Sequence, residues 1–125
     1  MPEIIDTDDA PDAVGAYSQA TVTDDLVFTA GQIALTPDGD LLDDEDVATQ
    51  TAQALDNLAA VLDAAGSSLE DVLKVTVFLA DIEDFEAMNE TYATYFDSAP
   101  PARSAIQAGA LPAGAAVEIE AVAER

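Results

Sequence analysis

The spacing of apolar residues changes period several times along the chain, and each change marks an element. Tyr17 to about Val22 reads as a strand, Thr23-Asp24-Asp25 as a turn and Leu26 to Ala30 as a second strand, so the segment predicts a hairpin. Thr36-Pro37-Asp38-Gly39 then places Pro, Asp and Gly where a tight turn uses them. From about residue 45 to 65, Val47, Thr51, Leu55, Leu58, Val61, Leu62 and Ala65 recur at helical spacing, which predicts a helix with one buried face and Gly66 as its stop. The acidic run Asp43-Asp44-Glu45-Asp46 stands just before it, where carboxylates accept from free N–H groups and complement the helix dipole. The period returns to two at Leu73, Val75, Val77 and Leu79, alternating with Lys74, Thr76 and Phe78, as in a strand. Asp81 is placed to cap a second helix, about residues 82 to 97, with an apolar stripe of Phe85, Met88, Tyr92 and Phe96. Pro100-Pro101 closes that crossing, and two last strands follow near 102 to 108 and 116 to 123.

The order is strand, strand, helix, strand, helix, strand, strand, and each helix is long enough to cross between parallel strands. This predicts an α+β domain covering residues 1 to 125, a mixed β-sheet with two helices packed on one face.

Charge changes the picture most. The chain carries 26 acidic residues against three basic ones, a formal net charge of −23 spread over its whole length, yet 50% of its residues are hydrophobic. Long periodic apolar segments argue against disorder. Self-repulsion on this scale strains the compact state at low salt and is largely screened at about 1 M, where the Debye length is roughly 3 Å. A halophilic protein, as from a haloarchaeon, is therefore expected. Native ellipticity should fall in salt-free buffer and return along a KCl series; full native structure without salt would contradict this.

Nucleic acid and anionic membranes are poor partners, because only Lys74, Arg103 and Arg125 are available to meet phosphates. Without Cys there are no disulfides, thiolate nucleophiles or Cys metal sites, and without His there are no imidazole bases and none of the usual zinc sites. The opening MPEIIDTDDAPDAVG has neither a basic start nor an apolar run, so a cytoplasmic location is expected.

Proton transfer is left to carboxylates, Tyr, Lys or water. In Val117-Glu118-Ile119-Glu120-Ala121-Val122-Ala123 the two glutamates share one face, which is either a solvated strand face or the lining of a pocket where desolvation raises a pKa. Arg103, in Pro100-Pro101-Ala102-Arg103-Ser104, is either paired with a nearby acid or is a planar fork for a substrate carboxylate, which Lys cannot imitate geometrically. Lys74, opposite the apolar set of its strand, reads as structural. Gly31, directly after a strand, allows either a bulge or close backbone approach to a ligand. Asn89 lies near the buried face of the second helix, where a hydrogen bond to a loop is the plain reading. Tyr17 is either core packing or a phenol aimed at a ligand. The acidic run at 43 to 46 reads as a helix cap rather than a cation site.

Together, DAPDAVGAYSQAT (9–21), FTAGQIALTPDG (28–39), the segment 50–96, PPARSAIQAGALP (100–112) and VEIEAVA (117–123) closely resemble the RidA (YjgF-like) reactive-intermediate deaminase family across essentially the whole chain. The resemblance implies a chorismate-mutase-like fold and a homotrimer with pockets at the subunit interfaces. It implies hydrolysis of 2-imino or 2-enamino acids, such as 2-iminobutyrate and 2-iminopropionate, to 2-keto acids and ammonia without a cofactor. It gives Arg103 the substrate carboxylate and Glu118 the attacking water, with Tyr17, Gly31 and Asn89 shaping the pocket and Ala105 contributing mainly backbone atoms. Two positions depart from the family pattern: Ala30 stands where many members have Ser, and Ala105 where many have Cys. The missing hydroxyl bears on substrate preference more than on reaction type. The alternatives are a non-catalytic relative that binds small carboxylates and, more remotely, a chorismate-mutase-type enzyme, whose dicarboxylate substrate wants more cations than Arg103 supplies.

Overall fold

Alternation along β6 (Val117–Glu124) organises the molecule: Val117, Ile119, Ala121 and Ala123 are buried, and the residues between them face the other way. The computed structural model describes residues 2–96 and 98–125. β6 lies inside a six-stranded sheet of order β1-β2-β3-β6-β4-β5, whose other strands are β1 (Glu3–Ile5), β2 (Ala20–Val22), β3 (Leu26–Thr29), β4 (Val72–Leu79) and β5 (Ala102–Gln107). β4 and β5 are parallel, and every other neighbouring pair is antiparallel.

The helices α1 (Val47–Ala64) and α2 (Phe85–Tyr95) make the two crossovers. α1 links β3 to β4, with β6 between them, and α2 links β4 directly to its parallel neighbour β5. Leu55, Leu58, Val61 and Leu62 of α1 and Met88 and Tyr92 of α2 join Val75, Val77 and Leu79 of β4 and the inward set of β6 in one core. The fold is α+β, with both helices on one face of a mixed sheet. Thr76, Phe78, Glu118 and Glu120 consequently share the opposite, outer face.

The helix signals act as expected. Asp46 is the N-cap of α1, its carboxylate accepting from the Thr49 N–H at 2.8 Å, and Gly66 follows the helix with φ +78°. Within the acidic run at 43 to 46, Asp46 is the residue that caps the helix. Asp81 caps a short 3-10 turn, Ile82–Asp84, by accepting from the Glu83 N–H at 3.0 Å, and α2 proper starts at Phe85. The far end expected for that helix, residue 97, lies outside the described residues.

Two expectations are corrected, and one strand goes beyond them. The strand expected from Tyr17 starts only at Ala20, because the chain before it is tied into a loop by the Gln19 side chain. Leu73, placed in the buried set of β4, is 45% exposed: an irregularity in the β4–β6 register between Val72 and Lys74 puts Val72 inward instead. β1 was not anticipated; its three residues are too few to display an alternation. No helix is long and apolar enough to cross a membrane among the described residues.

Candidate functional site

Inward burial of Val117 and Ile119 forces Glu118 onto the outer face, beneath the loop that leaves β3. Gln32 binds that loop to β6 through reciprocal backbone hydrogen bonds with Ile119, Gln32 N–H to Ile119 C=O at 2.8 Å and Ile119 N–H to Gln32 C=O at 3.0 Å. Gly31 is thereby laid against Glu118 so closely that a Cβ on it would meet the carboxyl carbon at 2.8 Å and Cγ at 2.9 Å. The absence of a Cβ at Gly31 is what lets the glutamate side chain lie in this position; a larger residue would move it.

Glu118 opens into a cavity of about 490 Å³ with Val14, Tyr17, Gly31, Ile33 and Pro112 in its walls. Burial pushes its carboxyl above the usual carboxylate range, and the like charge of Glu120 on the same face pushes the same way. Of the two glutamates, Glu118 is half-buried and lines the pocket, whereas Glu120 is exposed. Tyr17 is 55% exposed, which removes core packing as its role; its hydroxyl accepts a long hydrogen bond from the Val14 N–H at 3.4 Å.

The cavity walls are loops, and buried amides hold them. The Gln19 carboxamide is 2% exposed, donates to the carbonyls of Thr7 at 3.0 Å and Pro11 at 2.8 Å, and accepts from the Thr7 N–H at 2.7 Å. Asn57 of α1 donates to the carbonyls of Ile33 at 3.2 Å and Leu35 at 2.8 Å. Gln50 donates to the Glu45 carbonyl at 2.8 Å and accepts from the Ala116 N–H at 2.9 Å, fixing the approach to β6. These residues were not foreseen as site-builders. Asn57 and Gln50 were detectable in principle, since each sits beside the apolar stripe of α1; Gln19 lies in a loop that carries no period.

Arg103 lies elsewhere. Its partner in register is Val75, so it faces the helices, at the β5 edge of the sheet. Its guanidinium carbon is 4.7 Å from the Tyr92 ring centroid and 5.4 Å from that of Phe85, and Nη1 donates to Asn89 Oδ1 at 2.7 Å. Asn89 thus bonds Arg103, not a loop as expected. Among the described residues the partners of Arg103 are a neutral amide and two ring faces, not the carboxylate that simple ion pairing requires. Arg103, Asn89, Tyr92, Phe96, Pro100 and Pro101 border a second cavity of about 360 Å³. Lys74 is on the outer face, its Nζ donating to Ser104 Oγ at 3.1 Å, in keeping with a structural role.

One copy therefore brings Tyr17, Gly31 and Glu118 together in one place, and Arg103 and Asn89 together in another. The register puts the two groups on opposite faces of the sheet, since Phe78, across from Glu118, points away from the core that Val75 enters. Ala105 borders neither cavity; it packs against the core two residues along the edge strand from Arg103.

A family model described as Endoribonuclease L-PSP matches residues 7–125. A RutC family protein of Pyrococcus horikoshii is 47% identical over 123 residues, 98% of each chain. A 2-iminobutanoate/2-iminopropanoate deaminase of Rattus norvegicus is 48% identical over 121 residues, covering 97% of this chain and 88% of the relative. Among solved structures, a putative endoribonuclease from Thermotoga maritima aligns with a TM-score of 0.96 at 42% identity, over 100% of this chain and 98% of that one. The YjgF gene product of E. coli aligns with a TM-score of 0.93 at 39% identity, over 98% of both chains. The chain belongs to the YjgF/RidA family, the one that the endoribonuclease L-PSP model describes.

Proposed function

We propose that the protein hydrolyses 2-imino acids and their enamine tautomers, such as 2-iminobutyrate and 2-iminopropionate, to 2-keto acids and ammonia. The observation that carries this reading is Glu118: a half-buried carboxyl with a raised proton affinity, in a largely apolar cavity, packed closely against Gly31. The 48% identical relative that bears the deaminase name supports it. In the reaction water adds to C2 of the imine as Glu118 takes one of its protons, and the C=N electron pair moves to nitrogen, to which Glu118 returns that proton. Glu118 then carries the hydroxyl proton of the carbinolamine to nitrogen as the O–H electrons form C=O, C–N breaks and ammonia leaves. An imine is electrophilic enough for orientation and one carboxylate to suffice.

Arg103 grips the substrate carboxylate with the part of its fork that Asn89 leaves unused. Because one copy holds Arg103 and Glu118 on opposite faces, the complete site takes Arg103 and Asn89 from one subunit and Tyr17, Gly31 and Glu118 from the next, in a homotrimer. The exposed apolar side chains on the outer face, Phe28 at 45% and Ile106 at 49%, support burial of that face by another copy. RNA cleavage, suggested by the family model's description, is disfavoured by the net charge of −23.

The test is a coupled assay at molar KCl, in which an amino-acid oxidase or a pyridoxal-phosphate dehydratase generates the imine and keto-acid release is followed. Acceleration over the uncatalysed rate supports the reading. A second reading, a non-catalytic binder of small carboxylates, is favoured by one observation: the Arg103 cavity contains no part of Glu118, so binding in it does not call for the glutamate. That reading holds if the wild type binds 2-ketobutyrate and accelerates nothing.

Gly31→Ala is expected to cost about 10- to 100-fold in kcat, since relieving contacts of 2.8–2.9 Å displaces the Glu118 carboxyl by roughly 0.5–1 Å. Steady-state rates with unchanged circular dichroism check this; an undiminished kcat would show that Glu118 need not lie where Gly31 lets it.

A further inference from the structure

A chain with 26 acidic residues has carboxylates available almost everywhere, yet the described surroundings of Arg103 consist of two aromatic faces and an amide. A carboxylate partner would hold the guanidinium but would also neutralise it and compete with any anionic ligand. A ring face attracts the cation through its quadrupole and leaves its hydrogen-bond donors and net charge unspent.

The geometry suits that task. Both ring centroids lie within the ~6 Å range over which the interaction operates. Tyr92 is 4% exposed and is itself backed by Phe96, ring centroids 4.7 Å apart and planes inclined at 35°, so the ring has little freedom to turn. The Tyr92 hydroxyl is buried and has no hydrogen-bond partner among the described residues, which leaves the ring, not the phenol, as the functional part. An arginine side chain is rich in rotamers, and holding it in one pose beforehand removes most of the ordering cost from ligand binding.

We propose that Tyr92 and Phe85 are positioning residues, an aromatic seat that holds the Arg103 guanidinium ready for a substrate carboxylate without itself neutralising its charge. The proposal rests on the reading of Arg103 as the carboxylate clamp. It adds that the clamp's strength is set by two rings that need not touch the substrate.

The experiment compares Tyr92→Phe, Tyr92→Leu, Phe85→Leu and Arg103→Ala by calorimetric binding of 2-ketobutyrate in molar KCl and by KM and kcat in the coupled assay. Tyr92→Leu should weaken binding and raise KM by about ten- to thirtyfold with kcat within about threefold of wild type. Tyr92→Phe, which keeps the face and drops the unpaired hydroxyl, should bind as wild type and melt higher. Phe85 sits at the start of α2 and is only half-buried, so Phe85→Leu keeps the test open if Tyr92→Leu does not fold; it should weaken binding in the same sense.

Folded leucine variants that bind like wild type, while Arg103→Ala does not bind, would overturn the seat and leave the clamp intact. Loss in Tyr92→Phe equal to that in Tyr92→Leu would overturn it as well, since the hydroxyl would then be the working group. So would a fall in kcat with KM unchanged. Wild-type binding by Arg103→Ala would instead remove the clamp on which the proposal stands.

Discussion

Arg103→Ala should fold, assemble and release keto acid no faster than the uncatalysed reaction, and Arg103→Lys should recover little of the loss. Two charge-assisted hydrogen bonds to a carboxylate, at about 1.5–3 kcal/mol each, correspond to a fall of roughly 10²–10⁴ in kcat/KM when removed together. Lysine brings the charge back without the fork, and its compact ammonium gains less from the Tyr92 face than a stacked guanidinium does. The fold should survive, because Arg103 is at the sheet edge and outside the apolar core that joins the helices to β4 and β6. The coupled assay on the assembled variant, with its size and circular dichroism matched to wild type, checks the prediction; retained activity would remove Arg103 from the site.

Glu118→Gln should also lose turnover, by the 10²–10⁴-fold typical of removing a general base, while the folded protein becomes more stable at neutral pH. The sign follows from the direction of the shift. The folded state raises the proton affinity of Glu118 through burial and the neighbouring Glu120. The carboxyl therefore favours folding below its unfolded pKa and loses that contribution as pH rises through the higher folded value. Above both values the ionised, half-buried group opposes folding, and glutamine removes the opposition. The melting temperature of Glu118→Gln minus that of wild type, in molar KCl, should increase from the ordinary carboxylate range upward and level off once the folded-state group has ionised. A wild type that is the more stable of the two at neutral pH would contradict the burial argument. The acid limb of the wild-type rate profile should likewise lie above the ordinary carboxylate range.

Much of this site is visible in the amino-acid sequence, for reasons particular to each residue. The face of Glu118 follows from Val117 and Ile119, whose burial leaves it no other side to take. Helix α1 announces itself through seven periodic positions and the Asp46 cap. Arg103 differs: Ala102, Ser104 and Ala105 around it show no alternation, so the face it takes emerges only from the register of β5 on β4. That the two key residues are on opposite sides of the sheet was for the same reason invisible, because register is a relation between strands far apart in sequence. Leu73 misleads through a local irregularity that reverses strand parity, which no count of apolar residues detects. Gln19 makes its contacts with a loop eight to twelve residues away, which leaves no periodic trace.

Mixing two inactive chains shows directly whether the site is divided between copies. Arg103→Ala and Glu118→Gln, refolded together in molar KCl in equal amounts, produce trimers in which some interfaces join an intact Arg103 of one subunit to an intact Glu118 of the next. Random assembly around a head-to-tail ring places both intact residues at roughly one interface in four. The mixture should recover about a quarter of wild-type keto-acid release from two chains that have none alone. If each site were complete within one subunit, every site in the mixture would lack one residue, and mixed trimers without activity would contradict the account.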